Sequence, residues 1–154
     1  MSVAFRRESD EEHLEPKFDI PLPPGPNLVT ARGLALIQAK VAEFDAALAA
    51  AGDDEARKVV KRDLKYWTTR AATAQLAPIP SGEEAAFGCD IRYRLDGTEA
   101  RVAIVGADEA DPTAGRIAFT APLARALIGA APGEMVNFNG RADAIEIVAV
   151  DPIG

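Results

Sequence analysis

Residues 30–76 read TARGLALIQAKVAEFDAALAAAGDDEARKVVKRDLKYWTTRAATAQL, and this stretch decides the fold. Leu34, Ile37, Val41, Phe44 and Leu48 follow one another at spacings of 3, 4, 3 and 4 residues. Apolar side chains so spaced form one stripe along a helix, a heptad seam that needs an apolar partner. Thr30 is placed to cap this helix and Gly52 to end it at the C′ position, which predicts a helix to about Ala51. A second seam follows at once through Val60, Leu64, Trp67, Ala71 and Ala74, spaced 4, 3, 4 and 3, and predicts a helix to about Gln75. Two helices joined so tightly turn back on each other as an antiparallel hairpin, each arm about 30 Å long.

Asp53, Asp54 and Glu55 fall at the hairpin tip, where negative charge meets the positive end of the second helix dipole. Any helix start would favour the same acids, so a structural and a functional reading stand side by side. Lys58, Lys61, Arg62 and Lys65 recur at helical spacing off the seam as a basic stripe, either a solvated face or a contact for phosphate. Trp67, on the seam, reads as core.

Beyond the hairpin, Ala77-Pro78-Ile79-Pro80-Ser81-Gly82 reads as a linker and the period changes from helical to alternating. Ile91, Tyr93 and Leu95 alternate with Arg92 and Arg94. Asp96-Gly97 is a two-residue hairpin signal, and Val102 and Ile104 lie on the return strand. The loop Gly106-Ala107-Asp108-Glu109-Ala110-Asp111-Pro112 leads to a short strand near Ile117 and Phe119. Pro122 opens a short helix that Gly129 closes. Two last strands flank Asn139-Gly140, the second through Ile145, Ile147 and Val150. The fold class is therefore α+β. A short antiparallel coiled coil over 30–76 precedes a mainly antiparallel β-domain with one short helix over 82–154. Residues 1–29, ending in Ile20-Pro21-Leu22-Pro23-Pro24-Gly25-Pro26, are expected to form an extended tail without fixed structure, because proline removes backbone donors and resists helix.

The composition narrows the chemistry. A net charge of −7 over 154 residues argues against a protein that coats nucleic acid. One histidine, His13, one cysteine, Cys89, and three serines, Ser2, Ser9 and Ser81, argue against a Ser–His or Cys–His nucleophile and against an internal disulfide or a zinc site. Cys89 itself reads as a strand residue. The acidic start carries no export signal, and no apolar run is long enough for a membrane span; the expected place is the cytoplasm.

The order of hairpin, proline linker and β-domain resembles the bacterial Gre transcript-cleavage factor family. Tyr93-Arg94, Val105-Gly106-x-Asp108-Glu109-Ala110-Asp111 and Phe119-Thr120-Ala121-Pro122-Leu123-Ala124-Arg125-Ala126-Leu127-Ile128-Gly129 look like the family's strand, acidic loop and signature helix, with Ala121 where the family usually has serine. The resemblance covers roughly residues 27–152. It implies an FKBP-like C-terminal fold that grips the rim of the secondary channel of bacterial RNA polymerase. It makes Asp108, Glu109, Asp111 and Pro122 docking residues; the three acids lie in a loop with no apolar pattern and are expected to be exposed. It also sends the hairpin into the channel. There the protein, a monomer and no enzyme itself, would meet nascent RNA or DNA only within the elongation complex and regulate elongation. It would need no cofactor or metal of its own, sharing at most the Mg2+ of polymerase.

In the family the tip reads Gly-Asp-x-x-Glu-Asn, and its carboxylates help hold that Mg2+. Here Gly52-Asp53 matches, but Glu55 comes one residue early, with Ala56 and Arg57 where the motif has glutamate and asparagine. Each arm also looks about ten residues, or ~15 Å, shorter than in long-fingered members. The resemblance thus leaves open a factor that stimulates cleavage and a channel binder or competitor that does not. The FKBP-like fold adds a remote third reading, a peptidyl-prolyl isomerase, for which the domain's aromatics (Phe87, Tyr93, Phe119 and Phe138) are few.

Overall fold

The computed structural model describes residues 19–153. The predicted tail over 1–29 therefore lies mostly outside the described residues, as does His13. Its end is a strand: β1, Leu28–Val29, pairs in parallel with β2, Gln75–Leu76. Between them run helix α1, Ala31–Ala50, and helix α2, Asp54–Thr73. The chain groups into two units. One holds Ile37–Thr73 with the described residues up to Gly25; the other holds Pro26–Leu36 with Ala74 onward.

In the helical unit both predicted seams are the covered faces. Ile37 is fully buried, and Val41, Phe44, Leu48, Val60, Leu64, Trp67 and Ala71 are half-buried. The helix ends differ from expectation in two ways. Gly52 is not in the left-handed region, so α1 closes without a glycine cap; instead the Ala51 N–H donates to the Leu48 carbonyl, tightening the last turn. Helix α2 stops at Thr73, short of Gln75, because the Gln75 and Ala77 N–H groups donate to the Asn27 and Val29 carbonyls.

The second unit is built on a five-stranded sheet. It contains β3 (Cys89–Leu95), β4 (Thr98–Val105), β5 (Arg116–Ala118), β6 (Met135–Phe138) and β7 (Arg141–Pro152), in the order β5-β4-β3-β7-β6. Asp96 and Gly97, both at positive φ, make the tight turn between β3 and β4. The sheet is mixed, not wholly antiparallel, since β5 runs parallel to β4. Residues 106–115 carry the chain back alongside β4 through a 3-10 turn at Pro112–Ala114, so β5 begins opposite Ala103. Ile145 and Ile147 face the core at the expected period of two, yet so does Val150. The register of β7 against β3 shifts between Arg92 and Tyr93, and the extra residue, Val148, is a bulge that changes the parity.

Helix α3, Pro122–Leu127, covers one face of the sheet. Ile91, Ile104, Ala124, Leu127, Ile145 and Ile147 are fully buried, each large one contributing about 1.5–3 kcal/mol. Phe87 and Phe119 pack edge to face at 5.5 Å, and with Tyr93 and Phe138 they pad this core. Cys89 is fully buried in it, and burial raises its thiol pKa. No helix among the described residues is long and apolar enough to cross a membrane.

Candidate functional site: hairpin tip, basic stripe and acidic loop

At the tip, Asp53 is the N-cap of α2. Its Oδ1 accepts the Ala56 N–H at 2.7 Å and its carbonyl accepts the Arg57 N–H at 3.0 Å. A carboxylate at this position meets an orphan donor and the positive helix end together. The structural reading of Asp53 is therefore realised. Glu55 lies 4.0 Å from Lys58, an exposed pair of little energetic weight, and Asp54 is exposed at the first helical position. Among the described residues no three His, Cys, Asp or Glu side chains gather as a metal-ligating group. Mg2+ usually takes one or two protein carboxylates beside phosphate oxygens and waters; at this tip Asp53 is engaged as a cap, and Asp54 and Glu55 are exposed carboxylates. Asp53→Ala is expected to cost α2 about 1 kcal/mol, while Asp53→Asn costs little. Amide exchange at Glu55, Ala56 and Arg57 measures the difference.

Lys58, Lys61, Arg62 and Lys65 are all exposed on one side of α2. They line a shallow groove of about 300 Å³ together with Asp19, whose Oδ2 is 3.0 Å from Lys65 Nζ. Asp63 lies 3.8 Å from Arg62, at the margin of ion pairing. The expected stripe is thus a contiguous cationic surface, already met at one end by an acid from the lead-in.

The acidic loop differs from expectation. Glu109 is buried, 5% exposed, and holds residues far away in sequence. The Thr30 hydroxyl donates to Glu109 Oε1 at 2.5 Å, and the same oxygen of Thr30 accepts the Gly33 N–H at 3.0 Å. One side chain therefore caps α1 and links that cap to the loop. Arg32 adds an ion pair at 3.6 Å. Two glycines lie close to neighbouring atoms, and at Gly106 the neighbour is backbone. A Cβ on Gly33 would lie 2.9 Å from Glu109 Oε1, and one on Gly106 would lie 2.3 Å from the Leu28 carbonyl oxygen. Asp108 is half-buried and has its own partner. Asp111 accepts from the Thr113 hydroxyl at 2.7 Å and lies 3.7 Å from Arg116. That hydrogen bond, and then the guanidinium, hold its carboxyl below the usual range. Reversing all three acids would therefore damage the fold. Asp111 retains an accessible edge, but Glu109 belongs to a structural joint. Alternation could not show this, because the partners are Thr30 and Arg32. The one local hint was the capping pair Thr30 and Gly33. Pro122 is exposed at the first position of α3, and Ile128, just past its other end, is 42% exposed.

Residues 80–152 match the model of the family described as "Transcription elongation factor, GreA/GreB, C-term". Over 113 residues the chain is 38% identical to the transcription elongation factor GreA of Rhizobium etli, covering 71% of this chain and 69% of that protein. The chain belongs to the GreA/GreB family. The GreA of Phenylobacterium zucineum is 41% identical over 88 residues, of which the match spans 53% of this chain and 56% of the relative. Among solved structures, GreA factor homolog 1 of Thermus thermophilus aligns over 82% of this chain and 99% of its own, with 17% identity and a TM-score of 0.39. The family's GreA/GreB protein from Nitrosomonas europaea aligns over 82% and 98%, with 16% identity and a TM-score of 0.39.

Proposed function

We propose that this chain binds bacterial RNA polymerase at the rim of the secondary channel through its β-unit. It presents the hairpin to the channel and regulates elongation by occupying it, with little or no stimulation of transcript cleavage. Family membership supports the partner and the process. The observation that carries the mode of action is the tip: the Asp53 carboxylate is engaged as the cap of α2, and Glu55 stands beside Lys58. A tip of this kind, on arms of twenty residues, is suited to fill a channel rather than to complete a metal site. The protein works in the cytoplasm as a monomer, through the active site of polymerase and without a cofactor of its own.

The test uses the full chain. Retention on immobilised bacterial polymerase is expected, and stalled, backtracked elongation complexes should release cleaved RNA at the factor-free rate. The triple change Asp53→Asn, Asp54→Asn and Glu55→Gln keeps a competent cap while removing the charges. It should leave both results unchanged. Strong cleavage by the wild type that disappears in this variant would overturn the channel-filling reading, and no retention on polymerase would overturn the partner.

A further inference from the structure

Two exposed turns close hairpins of the sheet, Asp96-Gly97 between β3 and β4 and Asn139-Gly140 between β6 and β7. Their first residues both lie at φ 52°, and the glycines at 77° and 75°. The two turns share a backbone geometry and differ in chemistry. Arg141 donates to both oxygens of Asp96, at 2.5 and 3.3 Å. These hydrogen bonds, and then the guanidinium charge, hold the Asp96 carboxyl below its usual range. The Asn139 side chain is exposed and makes no hydrogen bond among the described residues.

We propose that Asn139 is a site of spontaneous deamidation, at which the folded protein converts its own Asn139-Gly140 bond into an isoaspartyl link. The attacking atom is the backbone nitrogen of Gly140, after it gives its proton to water or hydroxide. It bonds to Asn139 Cγ, the Cγ–Nδ2 bond breaks, and ammonia leaves with a proton from solvent. Water then opens the succinimide ring. Opening at the main-chain carbonyl leaves an isoaspartyl residue, with the chain running through Cγ; opening at Cγ leaves aspartate. The sum is one water consumed and one ammonia released, with no change of oxidation state.

The structure selects Asn139 among comparable residues. Nothing lies within 4 Å of where a Cβ of Gly140 would stand, so the approach of its nitrogen is unhindered. Asn137 precedes bulky Phe138, and its Oδ1 is held by the Asp143 N–H at 3.0 Å. Asn27 is 6% exposed and precedes Leu28, whose carbonyl seats against Gly106. Asp96 also precedes a glycine, but a carboxylate kept ionised by Arg141 is a poor electrophile. The isoaspartyl link adds a carbon to the main chain of a two-residue turn. Phe138 and Arg141 face each other across that turn, and Arg141 holds Asp96. Conversion therefore loosens the end of the β6–β7 hairpin together with its tie to the neighbouring turn. None of this depends on polymerase.

The full chain, kept folded at mildly alkaline pH, is followed by peptide mass analysis beside a synthetic peptide of residues 135–143. Exchange of NH for O is expected at Asn139 alone, with Asn27 and Asn137 intact. Its rate should fall within about tenfold of the peptide's, a barrier difference under ~1.4 kcal/mol. An isoaspartyl carboxyl methyltransferase with a labelled methyl donor should then mark the aged wild type but not Asn139→Gly, which keeps a residue suited to positive φ. Slower conversion than that, conversion at Asn137 instead, or equal labelling of the two proteins would overturn the assignment. In the isoaspartyl fraction the Arg141 amide should exchange with solvent faster than in unconverted protein; equal exchange would overturn the loosening of the hairpin.

Discussion

Changing Glu109 to lysine is expected to destabilise the β-unit by about 3–5 kcal/mol, the range for leaving a buried charge without its partner. The Glu109 side chain is 3% exposed, and its oxygens serve the Thr30 hydroxyl and the Arg32 guanidinium. An ammonium group in that space faces Arg32 with like charge and removes the acceptor of the Thr30 hydroxyl. For a domain of this size about 1 kcal/mol corresponds to ~4–8 °C, so the midpoint of thermal unfolding should fall by more than ~12 °C. Glu109→Gln is the informative companion. It keeps an oxygen for Thr30, loses only the charge toward Arg32, and should cost about 1 kcal/mol. Circular dichroism melts of the three proteins decide the matter. If the lysine variant melts like the wild type while losing polymerase, Glu109 is a docking residue on an open loop and the joint described above is wrong.

A valine at Gly106 is expected to cost at least ~3 kcal/mol, at the upper end of overpacking, because the obstacle is backbone. Even the first added carbon would lie 2.3 Å from the Leu28 carbonyl oxygen, and a carbonyl cannot rotate away as the end of a side chain can. Either β1 leaves its seat or the loop opens. The Gln75 and Ala77 N–H groups, which donate to Asn27 and Val29 at 2.8 and 3.0 Å, should then lose much of their protection from hydrogen exchange. Unchanged protection at both amides would refute the close approach. Because Gly106 and Glu109 seat the same short segment, the double variant should cost less than the two losses added together.

Both results concern a joint that could not be read along the chain. Local periodicity and turn chemistry were enough for the helices. A seam repeated over five positions leaves one face to bury, and Thr30 and Asp53 cap because their side chains meet donors three residues on. The same local logic placed the turns at Asp96-Gly97 and Asn139-Gly140 and the proline start of α3. The basic stripe was legible too, since four cations at helical spacing off an apolar seam must share a face.

The tertiary structure alone decided the rest. Strands β1 and β2 are two residues each, too short for any pattern, and exist only because each supplies the other's hydrogen bonds across the length of the hairpin. The parallel pairing of β5 depends on the path of residues 106–115, and the bulge at Val148 on the registry of β7 with β3. Glu109 looked like one more solvated acid in a polar loop because its environment comes from Thr30, 79 positions away. Whether a carboxylate is a surface charge or a buried anchor depends on which donors surround it, and folding alone brought these donors to Glu109.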